Sequence, residues 1–436
     1  MERDGSKTGE HSKEPVRGGL DELVAELQAR QALHDEWTAT RRYDFGLPLP
    51  ATQPNQVTPG FGTLSDVERR EFLRRMAAAG GIGFLPSPQL LSPLTSALAG
   101  THPPATSGSR PDGVLWAEAV REAVVWPATP QADSVPPPLE DLRASVDLAF
   151  RLDLASRRSI LGATLPGLIG DAEHLVGHVS GDTTVQALRV LADVYGIACW
   201  TLIKADDAQV AWVAAERSLH AARRANDPLR IAIATRCLSE AHMRAGRLDV
   251  ATRIATEAPL RLSAVPDEDM DGALSVRGAA LLSAAASAAR AQDEHDAREA
   301  LAAANACARQ LGEDRTDLGI AFGPTNVAIH RVVVAIELGD AKAARRYADQ
   351  VDLAPLPTWL GERRSRFLID LARAQAQMRD DIEALRTLLR AENTAPEEAR
   401  SHRLTRGLVR ELLSRERRSS SPGLRAFATR CGVLDG

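Results

Sequence analysis

Trp200-Thr-Leu-Ile-Lys-Ala205-Asp206-Asp207-Ala-Gln-Val210 reads as the end of one helix, a tight polar turn and the start of the next. The same punctuation returns at Gly246-Arg247, Gln292-Asp293, Gly339-Asp340 and Arg379-Asp380-Asp381. With Asp206, Arg247, Asp293, Asp340 and Asp380 as markers, the spacings are 41, 46, 47 and 40 residues by subtraction. Stacked helix pairs repeat at roughly 34 to 47 residues. The stretch from about residue 183 to 393 therefore predicts an α-solenoid, and the expected fold class is all-α. Arrays of this kind build a long curved groove, so the expectation is a binding or sensing protein rather than an enzyme.

Composition agrees with close helix stacking. Apolar residues make up 44% of the chain but aromatics only 4%. Alanine and leucine therefore carry most of the burial, and small side chains let helices approach closely. A net charge of −5 argues against a protein that coats nucleic acid through general basicity. Cys199, Cys237, Cys307 and Cys431 are scattered without a C-x-x-C pair, so free buried thiols are expected in place of disulfides or a zinc site. No continuous apolar run approaches the roughly 18 to 20 residues that cross a bilayer, and the expected location is cytoplasmic with no membrane contact.

Outward from the repeats, the chain divides into three expected parts. Residues 1–63 are expected to be mostly disordered, with one helix over Leu20–Arg41 and then Pro48, Pro50, Pro54 and Pro59. Residues 64–138 hold short helices and a proline-rich linker. Ser65 caps one helix, a second spans about Gly113–Val125, and eleven of the 25 prolines fall between Pro86 and Pro138. From Leu139 the chain becomes almost unbroken helix to residue 436, opening on the stripe Leu142, Val146, Ala149 and Phe150. Helices are expected at about 157–178 and 183–203. Pro396 opens another as its first residue, and a last helix runs from Pro422 to Cys431.

Chemistry-bearing motifs are few. Arg69-Arg70 before an apolar stretch resembles a twin-arginine export signal, but about 68 residues precede it and glycines break the apolar run, so an amphipathic helix is the better reading. His174 and His178 share a helix face at metal-ligand spacing, without the intervening glutamate or further ligands of a zinc site. Gly81-Ile82-Gly83 meets Pro86 where a dinucleotide loop needs glycine. Arg410, Arg415, Arg417 and Arg418 form the most basic run, interleaved with Glu411 and Glu416 as on a solvated face. No convergent acid and base stand out, and no cofactor or metal is expected.

The segment Phe322-Gly-Pro324-Thr325-Asn326-Val327-Ala-Ile-His330-Arg331 differs from the rest. Thr325 is placed to cap the helix whose entry Pro324 fixes, and Asn326 and His330 lie one turn apart on one face. In a solenoid the first helix of each pair lines the concave wall. An asparagine there offers a donor and an acceptor to a bound peptide unit. Asn326 and His330 are thus the leading groove residues, with Arg331, Arg366 and Asp370 as further candidates. The competing reading is that Asn326 and His330 satisfy nearby loop backbone.

These residues, together with Leu356–Arg373, Ala391-Glu-Asn-Thr-Ala-Pro396-Glu-Glu and Leu424–Val433, resemble the tetratricopeptide-like half of actinomycete helix-turn-helix regulators of the Xre type. Arg69-Arg70-Glu71-Phe72-Leu73 resembles the junction that follows the DNA-binding domain in those proteins. The resemblance spans roughly residues 64–436. It implies a tetratricopeptide-like superhelix that senses a signal or partner, in transcriptional or signalling control. Residues 1–63 offer one helix and prolines where the family has its helix-turn-helix. The expected function is groove binding of a peptide or protein partner, acting through solenoid curvature or homodimerisation. The alternative is a DNA-binding regulator of the Xre type.

Overall fold

The computed structural model describes residues 115–127, 135–260, 262, 270–416 and 422–434, all within one compact unit, Leu64–Gly436. The expectations for residues 1–114, including the capped helix at Ser65 and the Arg69-Arg70 segment, lie outside the described residues.

The described residues form sixteen helices and one short β-hairpin. In chain order these are α1 (Leu115–Val125), α2 (Leu139–Leu154), α3 (Arg158–His178), α4 (Asp182–Lys204), α5 (Ala208–Arg224), α6 (Pro228–Arg244), α7 (Leu248–Leu260), α8 (Met270–Arg290) and α9 (Glu294–Leu311). The hairpin follows, β1 (Arg315–Asp317) and β2 (Ile320–Phe322). Then come α10 (Pro324–Glu337), α11 (Ala341–Ala348), α12 (Gly361–Gln377), α13 (Asp381–Thr394), α14 (Pro396–Ser401), α15 (Arg403–Arg415) and α16 (Pro422–Arg430). The fold is an all-α helical repeat of the tetratricopeptide-like kind. Its consecutive pairs are α4–α5, α6–α7, α8–α9, α10–α11 and α12–α13, and the first helices of successive pairs pack on one another.

One turn geometry, used repeatedly, explains the regularity. Asp206, Gly246, Gln292, Gly339 and Arg379 all adopt positive φ just past a helix end. At each, two backbone bonds close the helix, as in Asp207 N to Leu202 O (3.0 Å) and Asp206 N to Ile203 O (3.1 Å). This is the Schellman arrangement, in which a left-handed residue satisfies the last free carbonyls. The next residue then caps the following helix. Asp207, Asp293, Asp340 and Asp380 each accept the backbone N–H three residues on, at 2.8–3.4 Å. The same turn also joins α5 to α6 through Asn226 and Asp227, and α2 to α3 through Ser156 and Arg157.

Alanine sets the spacing between helices. α8 buries Ala273, Ala279, Ala280, Ala284, Ala285, Ala288 and Ala289 against its neighbours. α4 and α8 are long and apolar enough by composition to cross a membrane, although polar residues interrupt both. Yet 78% of each such window is buried inside the stack, which accounts for its apolarity. α1, within the expected linker, packs on α3, α4 and α5 through Ala117, Val120 and Val124.

The β-hairpin is a departure from the all-helical expectation. Its strands are three residues each, joined by Leu318 and Gly319, both at positive φ (49° and 74°). That is the two-residue hairpin turn whose twist matches the strands. Gly278 of α8 leaves room for the Phe322 ring, and Gly319 lies against the Phe150 ring of α2. A Cβ at either glycine would collide with the ring.

The hairpin and the helices after it bring the two ends of the stack together. Leu154 of α2 belongs to the hydrophobic cluster built by α10–α16. At the start of α3, the Arg158 guanidinium forms an ion pair with Glu398 of α14, each side chain only 1% exposed. Arg158 Nη1 donates to Ser401 Oγ (2.7 Å), Ser156 Oγ to Glu398 Oε2 (3.4 Å), and Ser159 N to Glu397 Oε2 (2.9 Å). Removing one partner of a buried pair strands the other charge. Glu398→Ala should therefore cost about 3–5 kcal/mol in chemical denaturation, whereas joint replacement by Arg158→Met and Glu398→Leu should cost markedly less. Equal losses would show that the contact is peripheral to the fold.

Candidate functional site

Because the first helix of each pair faces inward and the stack closes on itself, the inner helices surround a cavity of about 170 Å³. α4 contributes Asp193, Trp200 and Lys204; α6 contributes Arg230, Arg236, Glu240 and Arg244; α8 contributes Ser283 and Arg290. From α10 come Asn326 and His330, and from α12 Glu362, Arg363, Arg366 and Asp370. Phe150 and Asp153 of α2 and the hairpin turn complete the wall. A second recess of about 270 Å³ lies between the hairpin and the segment Leu356–Leu360, sharing Ala321, Asn326 and Arg363 with the first.

Of the five sequence-based candidates, Asn326, His330, Arg366 and Asp370 border this cavity, and Arg331 is exposed and does not. Successive helical residues point about 100° apart, so Arg331 cannot share the inward direction of His330. The competing reading of Asn326 and His330 also describes real contacts. Asn326 Nδ2 donates to Ala321 O (2.9 Å), tying α10 to β2, and His330 Nδ1 lies 2.9 Å from Asn326 O. Asn326 Oδ1 is buried with no hydrogen-bond partner among the described residues. Thr325 does not cap α10. Gly323 holds the cap position, and the Asp314 carboxylate accepts the Thr325 N–H from across the hairpin (3.0 Å).

Several wall cations are neutralised locally. Lys204 Nζ is 2.6 Å from Asp153, Arg230 binds both oxygens of Asp193 (2.7 and 3.0 Å), and Arg244 meets Glu240 at 2.8 Å. Arg290 is 3.5 Å from Glu337. Arg373, behind the wall, is 3.1 Å from both Glu337 and Asp370. Arg236 and Arg366 have no carboxylate within ion-pair distance among the described residues. Arg236 instead donates to Ser283 Oγ (3.1 Å) and lies 4.5 Å from the Trp200 ring centroid, a cation–π contact. Burial pulls both guanidiniums below their ordinary pKa.

Arg366 has a sharper difficulty. Its Nη1 abuts His402 Nε2, while His402 Nδ1 accepts the Leu404 N–H (3.1 Å) at the start of α15. A neutral imidazole has a single acceptor nitrogen. It cannot serve both the helix cap and the guanidinium, so one of these donors is left unmet. His402 is held well below the usual histidine range, first by burial and then by Arg366.

The remaining titrations follow the same field. Burial, then the cations Arg363, Arg236 and Arg366, bring His330 down to about 3, so three guanidiniums converge on one neutral ring. Burial alone would raise Glu362, but Arg363, Lys204, Arg366 and Arg158 bring it down to about 2. Away from the cavity, His174 and His178 stack edge to face at 4.2 Å on α3, with His178 Nδ1 2.9 Å from the His174 carbonyl. All four cysteines are free and buried.

Sequence alone does not reach Arg236 and Glu240, and it takes Glu362-Arg363 as an ion-pair face of a helix, whereas both pairs border the cavity. The available signal was polar spacing of four on otherwise apolar inner helices: Arg236, Glu240 and Arg244 on α6, and Glu362, Arg366 and Asp370 on α12.

No family model matches the chain, and no curated protein matches it as a relative.

Acid should loosen this site early. Unfolded histidine takes a proton near pH 6.5, whereas folded His330 does so only near 3. Stability is therefore lost as pH falls below 6.5, and Glu362 adds a further loss between its ordinary 4.5 and about 2. His330→Gln should flatten the fall in unfolding free energy between pH 7 and pH 5 by about 2 kcal/mol. An unchanged slope in urea titrations at the two pH values would mean that His330 is protonated readily in the folded state.

Proposed function

We propose that this chain is a non-enzymatic regulatory protein whose inner helical wall binds a peptide or protein segment. The observation that carries the reading is the convergence of α4, α6, α8, α10 and α12 on one cavity whose wall mixes charged and apolar side chains. Five helices from five repeats present side chains to a common space, which is how helical-repeat proteins form concave binding surfaces. The wall groups are guanidiniums, carboxylates and an amide, suited to hydrogen bonding a backbone and its charged ends. Transcriptional or signalling control and a relation to Xre-type regulators rest on the resemblance described above, and a cytoplasmic location is part of the same proposal. Ordinary small-molecule pockets occupy about 300–1,000 Å³. At about 170 Å³ this partly open cavity suits the end of a segment better than a chain passing through.

The alternative of direct DNA binding draws on that resemblance and on the basic run near the C-terminus. Within that run, Arg415 is already paired with Asp381 (3.0 Å) and with Glu411, which reduces the charge it offers to phosphate. Arg417 and Arg418 lie outside the described residues.

A peptide-library capture on immobilised protein tests the main reading. Val333→Trp places bulk into the cavity from α10, and Arg298→Ala alters the exposed face of α9. Bound peptides should lose at least tenfold in affinity with Val333→Trp and nothing with Arg298→Ala. Retention of full affinity in the filled variant would remove the cavity from the function.

A further inference from the structure

We infer that the cavity wall formed by Arg236, Arg363 and Arg366 beside His330 is a carboxylate-binding site, and that its occupant is the C-terminal carboxylate of a peptide segment. This deepens the proposed function and rests on it.

Three independent observations carry the inference. First, charge on this wall is unbalanced. Arg236, Arg244, Arg290, Arg363, Arg366 and, behind them, Arg373 share only Glu240, Glu337, Glu362 and Asp370, an excess of two cations in a chain whose net charge is negative. The neighbouring histidines are held neutral and add nothing to either side. Second, hydrogen-bonding capacity is unmet where the excess lies. Arg236 and Arg366 lack a carboxylate within ion-pair distance, Arg363 Nε makes no hydrogen bond and stands 3.8 Å from Glu362, and a neutral His402 cannot accept both from Arg366 at Nε2 and from the α15 cap at Nδ1. Buried charge without a counter-charge is costly. A guanidinium fork is the group best matched to a carboxylate, binding it through two parallel hydrogen bonds. A ligand carboxylate would satisfy Arg366 and leave His402 free to cap α15. Third, the surroundings suit a chain end. The Trp200 ring offers an apolar face beside Arg236, and Asn326, with an unpaired Oδ1, borders the same cavity. An amide acceptor beside a carboxylate site is what the last peptide N–H of a chain requires.

A free small carboxylic acid shares the chemistry, so the test separates the two sources. N-acetyl dipeptides, varied at the last residue over all amino acids, are titrated calorimetrically as free acids and as C-terminal amides. Succinate and inorganic phosphate are titrated in parallel. The expected result is binding of free acids at least tenfold tighter than of amides. Arg236→Gln and Arg366→Gln should each abolish that difference while far-UV circular dichroism and the melting transition are kept. If Arg366→Gln does not fold, Arg366→Lys, which keeps the charge and loses the fork, should weaken the acids selectively.

Succinate binding as tightly as the best dipeptide would retain the carboxylate site and overturn the chain end as its occupant. Phosphate competing as well as the acids would overturn the carboxylate assignment in favour of a general anion site. Acids and amides binding alike would overturn the inference while leaving segment binding in the cavity intact. Absence of binding by every free acid at millimolar concentration overturns it regardless of the library capture.

Discussion

The buried pair between Arg158 and Glu398 decides what kind of object this repeat stack is. A helical array with free ends offers an open trough. Here a guanidinium at the start of α3 and a carboxylate 240 residues later meet out of water, flanked by Ser156, Ser401 and the Ser159 N–H. Nearby, α12 packs against α2. Such pairs contribute little net stability, because desolvation offsets most of the attraction. Their value lies in registry. An apolar patch tolerates sliding, whereas a charge pair with hydrogen-bonded flanks is satisfied in one arrangement only. Arg158 itself is lowered to about 10 by burial, a measure of how little solvent remains at the junction.

Closure has an electrical consequence. An open groove would let water screen its arginines, and surface cations at such spacings interact weakly. Among the five helices, burial first and the neighbouring arginines second lower His330 and His402, and the same cations depress Glu362 against the effect of burial. Perturbed titrations of this kind cluster at functional sites. Structural ion-pair networks perturb titrations as well. What distinguishes this wall is that its local pairs, Lys204–Asp153, Arg230–Asp193 and Arg244–Glu240, leave Arg236 and Arg366 over.

The repeats were legible because their signals are local. A left-handed residue followed by aspartate is readable in a few letters, and the five marked turns all take that backbone form, with Arg247 replacing the aspartate in one. The turns at Ser156-Arg157 and Asn226-Asp227 escaped notice. The first lacks the aspartate, and the second falls between helix pairs rather than within one. The β-hairpin was missed because two three-residue strands carry too little alternation to register against helical neighbours, and Leu318 is an unusual residue at positive φ. Asn326 and His330 were findable from a spacing of four within one helix, and so in principle were Arg236, Glu240 and Arg244. The meeting of Arg158 with Glu398 was not. Neither residue differs from the many surface charges of the chain until the superhelix places them together.

Cavity and closure are finally one electrostatic system. Arg158 is disfavoured by Arg366 and favoured by Glu362, and Glu362 in turn is held ionised partly by Arg158 and Arg366. A negative charge placed beside Arg366 therefore reduces the positive potential at Arg158 and eases the burial of its guanidinium. Attraction between occupant and wall is thereby linked to the contact that joins α3 to α14. Linkage of this kind is reciprocal: whatever strengthens the junction favours the occupant by the same free energy. The helices in between need no separate relay, because low-dielectric surroundings carry the coupling directly through the charges themselves. On the carboxylate site inferred above, an occupant would act on the α3–α14 junction by Coulomb interaction through Arg366 and Glu362, without requiring a hinge.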